Sequence, residues 1–211
     1  RDQLAEVVRG GLVEEVGAAW EAMLRAVRNV GRAGIAATAI SAVDIALWDL
    51  KARLAGQPLC RLLGARRAEV PIYGSGGFTT DSETELAEQL GGWVASGIPR
   101  VKMKIGKDWG TKADEDVARV GAARQAIGPA AELFVDANGG YTTGQAVRVG
   151  HALDAYGVTW FEEPVTSDDL PGLRTVREAP RLDVAAGEYI DSPDHRAPDW
   201  RCPCGGLPAG L

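Results

Sequence analysis

Three acidic residues recur at equal intervals: Asp136 in LFVDANGG, Glu162 in WFEEPV and Glu188 in VAAGEY, each 26 residues from the next. Each closes a short apolar run that reads as a strand. In a repeating β/α chain, one strand, one helix and their loops occupy roughly 25 to 30 residues, so equal spacing returns the strand ends to a similar height. The three acids are therefore expected around one centre. Carboxylates in that number suit a hard divalent cation such as Mg²⁺, with further positions left open for water or substrate. No His or Cys stands at these strand ends, which disfavours Zn²⁺. Upstream, VKMKIG carries Lys102 and Lys104, which at period two point to the same side. Amines facing a carboxylate-held cation suit removal of a proton next to a metal-bound carboxylate.

That chemistry has a clear physical demand. A proton α to a carboxylate is very weakly acidic, because its loss places a second negative charge on the same group. A divalent cation on those oxygens stabilises that charge in the transition state. A lysine base must be neutral to act, and both a second lysine and a cation nearby lower its pKa by like-charge repulsion. Taken alone, the lysine pair has an ordinary reading: alternation with Val101, Met103 and Ile105 also describes a strand with one solvated face. In a central strand of a closed barrel it would not.

The elements that must position these groups fall into two parts. Residues 1 to about 63 read as all helix: Asp2 to Val8, Val13 to Val30 and Ala36 to Leu54. In the third, Ile40, Val43, Leu47, Leu50 and Leu54 form the stripe of a helix docked on a core, and Gly56 and Pro58 end it. Trp48 is expected to pack there and Asp49 to cap or pair with a neighbouring base. From Val70, strands at 70–73, 101–105, 133–136, 159–162 and 184–187 alternate with helices near 82–96, 112–127, 143–156 and 168–178. This α/β order predicts a parallel sheet with right-handed crossovers, either open and doubly wound or part of a barrel. GSGG at 74–77 reads as a flexible turn. No glycine-rich phosphate fingerprint opens any helix, which lowers the odds of an open nucleotide-binding sheet.

With 211 residues, 45% apolar and 25% charged, the chain can bury a globular core. A net charge of −6, without a basic stripe, argues against a nucleic-acid partner. No run of about 18 apolar residues and no signal-like opening predict a membrane span or export. Cys60, Cys202 and Cys204 are odd in number and unevenly placed, which fits a reducing cytoplasm better than a disulfide framework.

Together, IALWDLKARLAGQPLCRLLG, VKMKIG, FVDANGGY, WFEEPV and AAGEY resemble the mandelate racemase and muconate lactonizing enzyme family of the enolase superfamily, from about Leu12 to Tyr189. Any one string is weak evidence; five in the family's order are specific. The resemblance implies a partial (β/α) barrel, about five of eight strands, preceded by helices of an α+β capping domain. Residues 1–63 would be that helical part, 64–190 the partial barrel and 191–211 an irregular tail. It implies Mg²⁺ held by Asp136, Glu162 and Glu188, Lys104 as the group that takes or returns the α-proton, and Lys102 as its neighbour holding the substrate carboxylate. Asn138 matches a position that often faces substrate, although a turn-forming role is equally open. Glu163 is expected to point away from the metal by alternation, and Pro164 to end the strand. The enolase superfamily is itself a known instance of a Lys or His base working beside Mg²⁺.

The implied substrate is a small carboxylate, an acid sugar or hydroxy acid. The implied reaction is first of all dehydration by an acid-sugar dehydratase, with racemase or epimerase and cycloisomerase as alternatives sharing the enolate step. Relatives are commonly homo-oligomeric. Two further readings stay open: a Schiff-base aldolase using Lys102 or Lys104 as nucleophile, and an inactive metal-binding fragment. After Glu188, a segment with Pro193, Pro198, Pro203 and Pro208 reads as neither helix nor strand, and a frameshifted or truncated end is expected. Without the family's last three strands the chain alone is expected to be marginally stable and weakly active at most. His195 lies in that segment and His151 on a predicted helix; neither matches a catalytic His, and both are expected exposed and inert. Cys202 and Cys204 lack the further ligands a metal pair needs.

Overall fold

A computed structural model describes residues 2–189, and its contacts divide the chain between Val70 and Pro71. The tail at 191–211, with His195, Cys202 and Cys204, lies outside the described residues. The first unit holds α1 (Asp2–Val8), α2 (Val16–Ala26), α3 (Ile35–Leu54) and a single turn, α4 (Leu59–Leu62). Leu4, Met23, Val27 and Ile40 form its buried centre. The segment expected as one helix over 13–30 is a 3-10 turn, Val13–Glu15, followed by α2, which stops at Ala26. Its end is closed by Gly31 in the left-handed region (φ 99°), whose N–H donates to the Val27 carbonyl.

The α3 stripe docks only in part. Ile40 is buried and Val43 and Leu47 are half-buried, but Leu50 is 44% and Leu54 68% exposed. A 20-residue helix reaches about 30 Å, while the 11 residues of α2 cover little more than half of that. Gly56 ends α3 as expected, with the Gln57 N–H donating to the Ala52 carbonyl. Asp49 pairs with Arg53 at 2.7 Å, and the Lys51 ammonium sits 5.1 Å over the Trp48 ring.

The second unit carries β1 (Gly74–Gly76), α5 (Glu83–Ala95), β2 (Arg100–Lys104), α6 (Ala113–Ile127), β3 (Glu132–Asp136), α7 (Thr143–Leu153), β4 (Val158–Glu162), α8 (Leu170–Glu178) and β5 (Asp183–Ala185). The sheet is parallel throughout, in the order β1-β2-β3-β4-β5. Val101, Met103, Leu133, Val135, Phe161 and Val184 share one core with Leu86, Leu90, Val120, Ala123, Val149, Leu153 and Val176 from all four helices. Lys102, Phe134 and Trp160 pair with one another in register on the alternate positions. Helices gathered on one side of a sequentially ordered parallel sheet make a segment of a (β/α) barrel, not a doubly wound sheet.

The first strand differs from expectation. It is GSG at 74–76, read from sequence as a turn, and not 70–73. Helix α5 explains it. A Cβ on Gly74 would lie 2.3 Å from the Trp93 ring, and one on Gly76 would lie 2.2 Å from the Gln89 side-chain oxygen. Only glycine lets the helix come so close to the strand. Among the described residues no helix is long and apolar enough to cross a membrane.

Candidate functional site

The strand register does most of the assembly. Lys104 pairs with Asp136, Asp136 with Glu162 and Glu162 with Ala185, so the last residues of four strands form one row. Lys102 sits one pleat lower on the same side, as alternation requires. Asp136 is fully buried, Glu162 half-buried and Glu188 exposed, and one carboxylate oxygen from each lies within 4.8 Å of the others. Glu188 reaches this point by another route than expected. β5 ends at Ala185, so Glu188 stands three residues beyond its strand, on a loop.

Both lysines pair directly with the acids. The Lys104 ammonium donates to Asp136, and the Lys102 ammonium donates to Glu162 and lies 3.7 Å from Asp136. Burial opposes the charge on Lys102, but hydrogen bonds to Glu162 and Tyr73 outweigh it and hold its pKa above the usual lysine value. Three carboxylates against two ammonium groups leave the cluster short of one positive charge.

Asn138 belongs to the site through Glu188. Its backbone is left-handed (φ 45°), its N–H donates to Asp136 at 2.9 Å, and its side-chain amide donates to Glu188 at 3.4 Å. It is both the turn residue and a site residue. Glu163 takes a structural pairing role, on a backbone that strand alternation does not describe. Its φ of 41° breaks the strand alternation, and its side chain is fully buried, accepting from the Gly187 N–H at 3.4 Å. Burial pushes its pKa up, and the charges of Asp136 and Glu188 add to this. The signal was Pro164: a strand stopped at that point gives no licence to extend its alternation by one residue.

Sequence reasoning also missed two buried charges on α6. The Asp116 carboxylate accepts from the N–H groups of Gly106 and Lys107 at 3.0 and 3.1 Å and from the Tyr141 hydroxyl at 2.6 Å, clamping the loop after β2. Burial, then the bond to Asp116, pushes the Tyr141 pKa up. Arg119 donates to the carbonyls of Lys104 and Phe78, tying the end of β2 to the loop after β1. Both residues stand at i and i+3 in ADEDVARV, on the face that carries Val120 inward. His151 lies exposed on α7.

Comparison with known proteins sets this geometry in context. Residues 1–64 match the family model described as mandelate racemase / muconate lactonizing enzyme, N-terminal domain. Residues 85–198 match the one described as enolase C-terminal domain-like. The chain is 38% identical over 177 residues to a D-galactarolactone cycloisomerase of Agrobacterium fabrum, covering 80% of this chain and 45% of that protein. Its fold superposes on a mandelate racemase/muconate lactonizing enzyme-like protein from Rubrobacter xylanophilus with a TM-score of 0.83 at 51% identity, covering 89% of this chain and 52% of the other. It also superposes on L-talarate/galactarate dehydratase from Salmonella typhimurium, liganded with Mg and L-lyxarohydroxamate, with a TM-score of 0.79 at 34% identity. That match covers 89% of this chain and 48% of the dehydratase. The chain thus spans about half the length of the relatives it matches.

Proposed function

The chain belongs to the mandelate racemase/muconate lactonizing enzyme family of the enolase superfamily, and from that premise we propose that it carries the Mg²⁺ centre and base of an acid-sugar dehydratase. The observation that carries the reading is the convergence of Asp136, Glu162 and Glu188 within 4.8 Å, beside a strand-end row that pairs Lys104 with Asp136 and Asp136 with Glu162. The donor set fits the ion: three hard oxygens, no imidazole or thiolate, and an exposed side at Glu188 where water or substrate can enter. Bound there, Mg²⁺ would supply the positive charge that stabilises the second negative charge of an enolate.

The chain's own residues have separable parts. Lys104, at the row's end, is the group that takes the α-proton. Lys102, more deeply buried and paired with Glu162, binds the substrate carboxylate. Asn138 orients Glu188 and presents its amide at the same opening. Dehydratases recur among the relatives, with L-talarate/galactarate dehydratase 37% identical over 194 residues and arabinonate and D-gluconate dehydratases also similar, which supports dehydration as the first reading. The named D-galactarolactone cycloisomerase makes ring opening or closure the second reading. A Schiff-base nucleophile needs a free, neutral amine, whereas the Lys102 and Lys104 ammonium groups donate to Glu162 and Asp136.

The test is exchange of the α-proton of aldaric and aldonic acids in D₂O, followed by NMR with the purified chain. Exchange is expected with Mg²⁺ and absent with a chelator or in Lys104→Met. Mg²⁺ binding without exchange in any acid would leave only the inactive metal-binding reading. Exchange that survives a chelator would sink the proposal.

A further inference from the structure

Glu188 presents a mechanical problem. The sheet ladder positions Asp136 and Glu162, but it stops at Ala185 and leaves the third acid on an exposed loop. Resting on the metal reading above, we propose that Glu163 is the positioning residue for that loop: its side chain holds Gly187, and so sets where the Glu188 carboxylate stands.

The hydrogen bonds meet in this one residue. The Glu163 N–H donates to the Ala185 carbonyl at 2.7 Å, and the Glu163 carbonyl accepts from the Gly139 N–H at 2.8 Å. Its side-chain oxygen accepts from Gly187, and the Glu188 backbone N–H also bears on the same carboxyl. Glu163 therefore touches the loop after β3 and the loop after β5 while following Glu162 directly. Asn138, next to Gly139, reaches Glu188 from the other side.

The backbone bonds would survive any substitution except proline, so the distinctive grip is that of the side chain. A non-glycine residue at φ 41° is strained, and glycine would relieve the strain. The carboxyl is also fully buried, with one oxygen lacking a hydrogen-bond partner among the described residues. A group kept in two unfavourable states at a candidate site needs a return, and the grip on residues 187 and 188 is the return visible here. Residues that orient a metal ligand typically change metal affinity 10- to 100-fold when removed.

The probes are Mg²⁺ alone, by calorimetric titration of the full chain, and Mn²⁺, by its EPR line shape. Glu163→Ala should raise the Mg²⁺ Kd about tenfold or more and broaden the Mn²⁺ signal, with the metal-free melting temperature little changed. Glu163→Gln keeps an acceptor oxygen for Gly187 and should bind within about threefold of wild type. Glu163→Asp keeps the carboxyl but withdraws it by one methylene, and should weaken binding as alanine does. If Glu163→Ala does not fold, the Gln and Asp variants decide. Equal affinity in wild type and Glu163→Asp overturns the inference and leaves the metal reading intact, as does Glu163→Gln binding as poorly as Asp. A wild-type chain that binds no Mg²⁺ overturns the metal reading, and the positioning role with it.

Discussion

The two halves of the acidic centre are built by different means. Asp136 and Glu162 are terminal residues of paired strands, and each accepts a lysine ammonium. Glu188 is exposed on a loop, forms no ion pair among the described residues, and depends on Asn138 and Glu163 for its place. The difference teaches that a ladder and a buried ion pair make position and stability inseparable. A loop-borne ligand can be altered with little effect on the fold.

Four measurements can break or sharpen that contrast. The largest effect is expected from Asp136→Asn, which leaves the Lys104 ammonium without its buried carboxylate and removes a second one 3.7 Å from Lys102. Denaturant unfolding should show a loss of about 3 kcal/mol, together with loss of Mg²⁺ binding. Wild-type stability in that variant would erase the distinction. Next, Lys102→Met fills the space but leaves Glu162 unpaired; because Glu162 can still meet water, a loss of about 1 to 2 kcal/mol is expected. Glu188→Gln should then separate the two properties, with stability within about 0.5 kcal/mol of wild type and Mg²⁺ affinity at least about tenfold weaker.

The smallest effect concerns an exposed carboxylate outside the site. Glu85 closes the capping box at the start of α5, and hydrogen bonds from the Ser82 N–H and hydroxyl hold its pKa below the usual 4.5. A depressed acid stabilises the fold above its ordinary pKa and loses that contribution as pH falls through its folded value. Glu85→Gln should therefore flatten, slightly, the fall of melting temperature on acidification. A marked flattening would show that exposed carboxylates, Glu188 included, matter more to the fold than the contrast allows.

Much of this was legible beforehand, for reasons specific to each element. β2 alternates apolar and polar side chains, so the placing of Lys102 and Lys104 on one side followed from period two; β3 and β4 are mostly apolar runs, and their closing acids, Asp136 and Glu162, were placed by the 26-residue interval. β1 was not legible, because Gly-Ser-Gly has no pattern of its own until Trp93 and Gln89 of α5 press upon it. Asp116 and Arg119 were passed over because charges on a helix normally face solvent. The α3 stripe was legible as apolar, but not the fact that its second half stays uncovered.

The sequence by itself determined which chemistry the chain could perform: residue types, the 26-residue interval and period-two alternation are local properties that survive without knowledge of packing. Only the tertiary structure decided how the third acid is held and what Glu163 does. Those outcomes depend on where a strand stops and which way the next residue turns. Small backbone energies set both, and neighbouring strands and loops overrule them.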